Sequence, residues 1–129
     1  MNHRISVSIF LGVLLAAGAA GAHHSEPSFA AKNVRLTGTL TKVDWRNPHV
    51  RFSLEVKGDQ GQAESWIIGS SAPNVFARHK ISKADFEKAI GQTVIVDVLG
   101  EVATRGDGSR RGGFQKITFP DGKVVSRGW

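Results

Sequence analysis

Val50, Phe52, Leu54 and Val56 alternate without a break with Arg51, Ser53, Glu55 and Lys57. A period of two buries one set and wets the other only on extended backbone, so this segment is a half-buried strand. Such a strand is not stable alone and needs partners with the same demand. The flanking sequence supplies them. Residues 34–45 also alternate, with Val34, Leu36 and Leu40 on one phase and Val43 and Trp45 on the other. That slip, with Gly38 nearby, predicts a bulge or bend in a long strand. Arg46-Asn47-Pro48 is a turn signal, residues 58–62 close a hairpin, and residues 63–68 read as a third strand.

After residue 70 the period changes. Residues 71–80 contain Pro73 and leave room for a first helical turn. Ser82 followed by Asp85 is a capping pattern, and Phe86 and Ile90 stand four apart, which predicts one short helix ending at Gly91. Residues 93–102 are rich in Val and Ile and form a fourth strand. Residues 105–113 read as a Gly- and Arg-rich loop. Residues 114–119 and 123–125 flank Pro120-Asp121-Gly122, a hairpin signal. Three strands, a short helical connection and two or so more strands give an all-β chain with one short helix. That order matches the five-stranded OB-like Greek-key barrel; a small open β-sandwich is the alternative.

The N-terminus has a different character. Arg4 precedes an uncharged apolar run over residues 5–17, and Ala20-Gly21-Ala22 places small residues where a signal peptidase reads. The run is too short for a convincing membrane span. Residues 1–22 are therefore expected to be a cleavable signal peptide, residues 23–33 an extended arm, and residues 34–129 a single OB-like domain with no transmembrane segment after processing. The mature protein is expected to be periplasmic or secreted. There is no cysteine, so a lipoprotein signal is excluded and no disulfide supports the domain. Arg4 is the only charge in the leader, and its loss takes the formal net charge from +6 to +5. Outside the inner membrane, that basic balance points to anionic lipid, polysaccharide or solubility and away from nucleic acid.

Cleavage after Ala22 makes His23 the first residue. A terminal amine and the imidazole of the same residue chelate one metal ion, His24 adds a second imidazole, and His49 is the candidate third. Amine and imidazole nitrogen suit transition metals, with copper favoured by the divalent affinity order. A second candidate is basic. Arg46 and Arg51 flank the first turn, while Arg105, Arg110 and Arg111 fall between the fourth and fifth strands, next to the ligand face of an OB-like barrel. Trp45, Phe52 and Trp66 are either stacking surface there or core, and a small β-domain needs Phe52 and Trp66 as core. Ser70 and Ser71 have no nucleophile elbow and no assignable acid–base partner, so the sequence points away from an enzyme.

These same segments carry a resemblance. His23-His24-Ser25, Leu36-Thr37-Gly38-Thr39-Leu40, Trp45-Arg46-Asn47-Pro48-His49 and the Ser-Ala-Pro-Asn of residues 69–74 resemble a family of short exported bacterial proteins, domain of unknown function 6152. The Asn-Pro-His turn after a Trp is the most specific element. Two departures stand out: an extra Ser71-Ala72 before Pro73-Asn74, and His79-Lys80-Ile81 where the family often resembles a Gly-Trp pair. The resemblance implies a periplasmic or secreted β-domain and no established activity. Two functions are thus expected of a non-enzymatic accessory domain. One is transition-metal binding through His23, His24 and His49; the other is binding of an anionic polymer or an envelope protein through the basic loops.

The metal reading makes a direct prediction. Cu(II) titration of protein that begins at His23 will give tighter binding than the same protein carrying one extra N-terminal residue. Equal affinity of the two forms removes the terminal amine from the site.

Overall fold

The computed structural model describes residues 32–100 and 105–127. The expected leader and most of the expected arm lie outside them. In chain order the elements are β1 (Lys32–Asp44), β2 (Arg51–Lys57), β3 (Ala63–Gly69), α1 (Pro73–Arg78), α2 (Lys83–Ala89), β4 (Thr93–Gly100), β5 (Ser109–Thr118) and β6 (Val124–Ser126).

The long first strand serves two partners. Its first part pairs antiparallel with β4, from Lys32↔Gly100 to Thr39↔Thr93, and its second with β2, from Gly38↔Val56 to Asp44↔Arg51. The ladders overlap at Gly38, where a Cβ would stand 2.5 Å from the Glu55 carbonyl oxygen; only glycine lets the strands approach this closely. The register to β2 then shifts between Leu40 and Lys42. This is the bulge that the slip in hydrophobic phase predicts. It turns Val43 inward against the core after Leu36 and Leu40.

The barrel closes through β3 and β5, which run parallel from Ser65↔Ser109 to Gly69↔Gly113. With β4 between β5 and β1, the ring reads β1-β2-β3-β5-β4, the OB-like barrel expected from element order. A closed ring leaves no place for the open sandwich. Residues 109–113, expected as loop, are already strand, because β5 starts at Ser109. Its glycines read as loop in sequence, yet at Gly112 a Cβ would lie 3.0 Å from the Val98 Cβ and 3.1 Å from the Ile68 Cδ1. Here glycine marks a place where side chains of the two strands flanking β5 crowd over its backbone.

The helical connection holds two helices. The room left for a helical turn at residues 71–80 is taken by α1, and the capped helix is α2. The Ser82 N–H donates to Asp85 Oδ2 at 2.8 Å, and Lys123 Nζ reaches Asp85 Oδ1 at 3.1 Å, pinning α2 to the last hairpin. Those contacts hold the Asp85 carboxyl below its ordinary range, the Ser82 amide most of all. Phe86 on α2 packs at ring-centroid distances of 5.4 Å from Phe52, 5.7 Å from Phe76 and 5.2 Å from Phe119, plugging one end of the barrel.

Two expectations follow. Gly112→Val will destabilise the domain by roughly 1–3 kcal/mol, the usual cost of overpacking, read as a lower melting temperature. On the outer surface, Asp97 accepts from Arg35 Nε at 2.7 Å and lies 3.2 Å from Lys116 Nζ. The Arg35 hydrogen bond is the main cause that lowers the Asp97 carboxyl from 3.8 to about 2. Its contribution to stability is complete above the unfolded value of 3.8 and fades as pH falls towards about 2. Asp97→Asn will therefore lower stability at neutral pH and flatten its fall across that acid window, measured by denaturant unfolding at stepped pH.

Candidate functional site

The bulge in β1 decides what faces outward next to β2. Past it, Lys42 pairs with Ser53, Ser53 with Ile67, and Ile67 with Arg111, so four strands place four side chains in one row across the outside of the barrel. The next row runs Asp44, Arg51, Gly69 and Gly113. Its two glycines carry no side chain, which leaves a shallow groove of about 170 Å³ lined by Lys42, Asp44, Arg51, Ser53, Ile67 and Arg111.

The cations of this groove differ in their partners. Arg111 lies 3.2 Å from Asp107, and Asp107 itself accepts from the Ser109 hydroxyl at 2.6 Å and its amide at 3.0 Å. Those hydrogen bonds, the hydroxyl first, lower the Asp107 carboxyl below its ordinary range. Asp44 accepts from Arg46 Nε at 2.9 Å, so Arg46 borders the groove through its partner. Lys42 and Arg51 are exposed and pair with no carboxylate among the described residues.

The five expected arginines thus divide. Arg51 and Arg111 meet in the groove, with Arg46 at its edge. Arg105 opens the β4–β5 turn, its amide donating to the Ser109 carbonyl at 2.9 Å. Arg110 shares the alternate phase of β5: its guanidinium sits 5.6 Å over the Trp66 ring, with Nε 3.6 Å from Glu64. It covers the core and is not part of the groove. Lys42 is the residue that sequence reasoning missed, and counting one residue past the predicted bulge finds it. The aromatic candidates belong to packing. Phe52 and Trp66 are buried, and Trp45 lies 5.4 Å from Phe76 and 5.7 Å from Phe86.

The metal candidates are only partly described. His23 and His24 lie outside the described residues. His49 is exposed at the start of β2, after a cis Asn47–Pro48 bond. Among the described residues, no three His, Cys, Asp or Glu side chains gather into a group able to hold a metal ion.

His49 does border a second concavity. Two backbone hydrogen bonds of 2.9 Å join Val50 to the segment after β3: the Val50 amide donates to the Ser71 carbonyl, and the Ser70 amide donates to the Val50 carbonyl. Beside this clamp lies a cleft of about 380 Å³, with Pro48, His49, Ser70, Ser71, Val75, Phe114 and Arg127 on its walls. The Ser70 hydroxyl oxygen is enclosed and has no hydrogen-bond partner among the described residues. An unpaired buried hydroxyl costs roughly 1–3 kcal/mol.

Two of the four segments that carry the family resemblance, the Trp-Arg-Asn-Pro-His turn and residues 69–74, meet at this clamp. Residues 12–116 match the profile described as Family of unknown function (DUF6152). The chain belongs to that family. The match takes in the groove residues as well as the clamp. Neither the curated proteins nor the solved structures contain a match to the chain. Within the DUF6152 domain the Ser71 carbonyl completes the clamp to Val50. Lys80, after α1, has φ +59°, in the left-handed region that favours glycine.

Proposed function

We propose that this member of DUF6152 is an exported, non-enzymatic binding domain, working in the periplasm or outside the cell, that holds an acidic polysaccharide along the outer groove. The observation that carries this reading is the single row in which β1, β2, β3 and β5 bring Lys42, Ser53, Ile67 and Arg111 together, with Arg51 in the adjoining row. Two unpaired cations, the Arg111 guanidinium fork and a shallow floor suit an extended chain with spaced carboxylates or sulfates. Trp45, Phe52 and Trp66 are committed to packing, so this groove has no aromatic platform of the kind that single-stranded nucleic acid stacks on. The leader-like N-terminus supports the compartment, where acidic polymers are available and nucleic acid is scarce.

Heparin is a practical probe of this class. Binding is expected to weaken as salt rises from about 50 to 300 mM, because the contacts are exposed charges. The Lys42→Gln/Arg51→Gln double variant will bind about tenfold more weakly, a loss of about 1.4 kcal/mol. A control of equal charge change far from the groove, Lys57→Gln/Lys83→Gln, will lose much less. Equal losses in the two double variants reduce the effect to net charge and overturn the site.

A further inference from the structure

The groove leaves unexplained the clamp-side cleft, which shares no lining residue with it. At about 380 Å³ the cleft is of the size that small molecules occupy, whereas the groove is not. Its walls divide by chemistry. Val75 and Phe114 give an apolar side, and Phe114 is buried in the barrel. His49 and Arg127 give the opposite character, and among the described residues no carboxylate lines the cleft. Arg127 pairs with no acid among the described residues, and its position is fixed by its backbone amide, which donates to the Gln115 carbonyl at 2.6 Å. Ser70 and Ser71 add hydroxyls on a wall that the Val50 clamp holds in place. The Ser70 hydroxyl has no hydrogen bond to lose among the described residues, so turning it towards a bound oxygen breaks none of their contacts.

We infer that this cleft is a binding site for a small organic carboxylate with a compact apolar body. The carboxylate lies against the Arg127 guanidinium, whose planar fork donates to two oxygens at once, with His49 and the serine hydroxyls as further donors. The apolar body rests on Val75 and Phe114. An inorganic oxyanion satisfies only the first half of this arrangement and a neutral aromatic amide only the second. The site is independent of the polysaccharide groove, although Gly69 on its rim is the register partner of Arg51.

Benzoate, benzamide and inorganic phosphate are the three probes, titrated into the purified protein by heteronuclear NMR with EDTA present to remove metal. Benzoate is expected to shift the amides of residues 48–50, 70–75 and 127, with benzamide and phosphate each binding about tenfold more weakly. Arg127→Gln will weaken benzoate by about tenfold, Arg127→Lys by less, and Arg111→Gln in the groove will leave it unchanged. Arg127 is exposed, so both variants will keep the native spectrum elsewhere. Benzamide binding as well as benzoate, benzoate affinity unaffected by Arg127→Gln, or shifts confined to the groove would each overturn the assignment. Loss of heparin binding in the groove variant with benzoate binding intact separates the two sites.

Discussion

The parallel ladder between β3 and β5 is the contact that makes this chain a barrel. Without it, β1 to β4 and the β5–β6 hairpin form one curled sheet with two open edges and a core covered on one side. Open edges are costly and prone to pair with other chains. Closure joins residues more than forty apart in sequence, Ser65 with Ser109 and Gly69 with Gly113. It also demands small residues where the ring tightens: Gly112 lies against Val98 and Ile68, and Gly100 lies against the Trp66 ring. With no disulfide to share the load, the aromatic cluster of Phe52, Phe76, Phe86, Phe114 and Phe119 inside that ring carries the fold.

The same ladder creates both concave surfaces. It sets Arg111 of β5 beside Ile67 of β3 and so completes the outer row that starts at Lys42, sixty-nine residues earlier in the chain. It also brings Phe114 next to the segment after β3, where the clamp to Val50 forms the cleft. Groove and cleft are two consequences of one closure. Neither set of residues is contiguous in sequence, so neither surface exists before the barrel is shut.

What the sequence makes legible follows from this. Local rules worked where the determinant was local. The alternation of residues 50–57, the Ser82–Asp85 cap and the slip of phase in the first strand each lie within a few residues of their effect. The slip is the most informative, because it predicted the bulge that turns Lys42 outward. Local rules failed at the start of β5, where Ser109, Arg110, Arg111, Gly112 and Gly113 have the composition of a loop. Gly112 answers to Val98 and Ile68, residues that a reading along the chain has no means of placing beside it. The arginines divided for the same reason. Arg110 and Arg111 look equivalent in a loop, but once they sit on a strand they face opposite sides, one over Trp66 and one in the groove.

The Trp-Arg-Asn-Pro-His turn shows why a motif and a site need not coincide. Trp45 packs against Phe76 and Phe86, Arg46 is engaged with Asp44, and Val50 is buried and clamped on both sides of its peptide. Three residues of this stretch therefore work on structure, while His49 is exposed on the wall of the cleft. The specificity of such a turn comes from its having to satisfy the helix end of the core and the wall of a cleft within six residues. A substitution that spares the core still moves the wall, since the Val50 peptide is common to both. In this domain the turn couples core packing to the shape of the cleft through two backbone hydrogen bonds, so a change in its most distinctive segment reaches both.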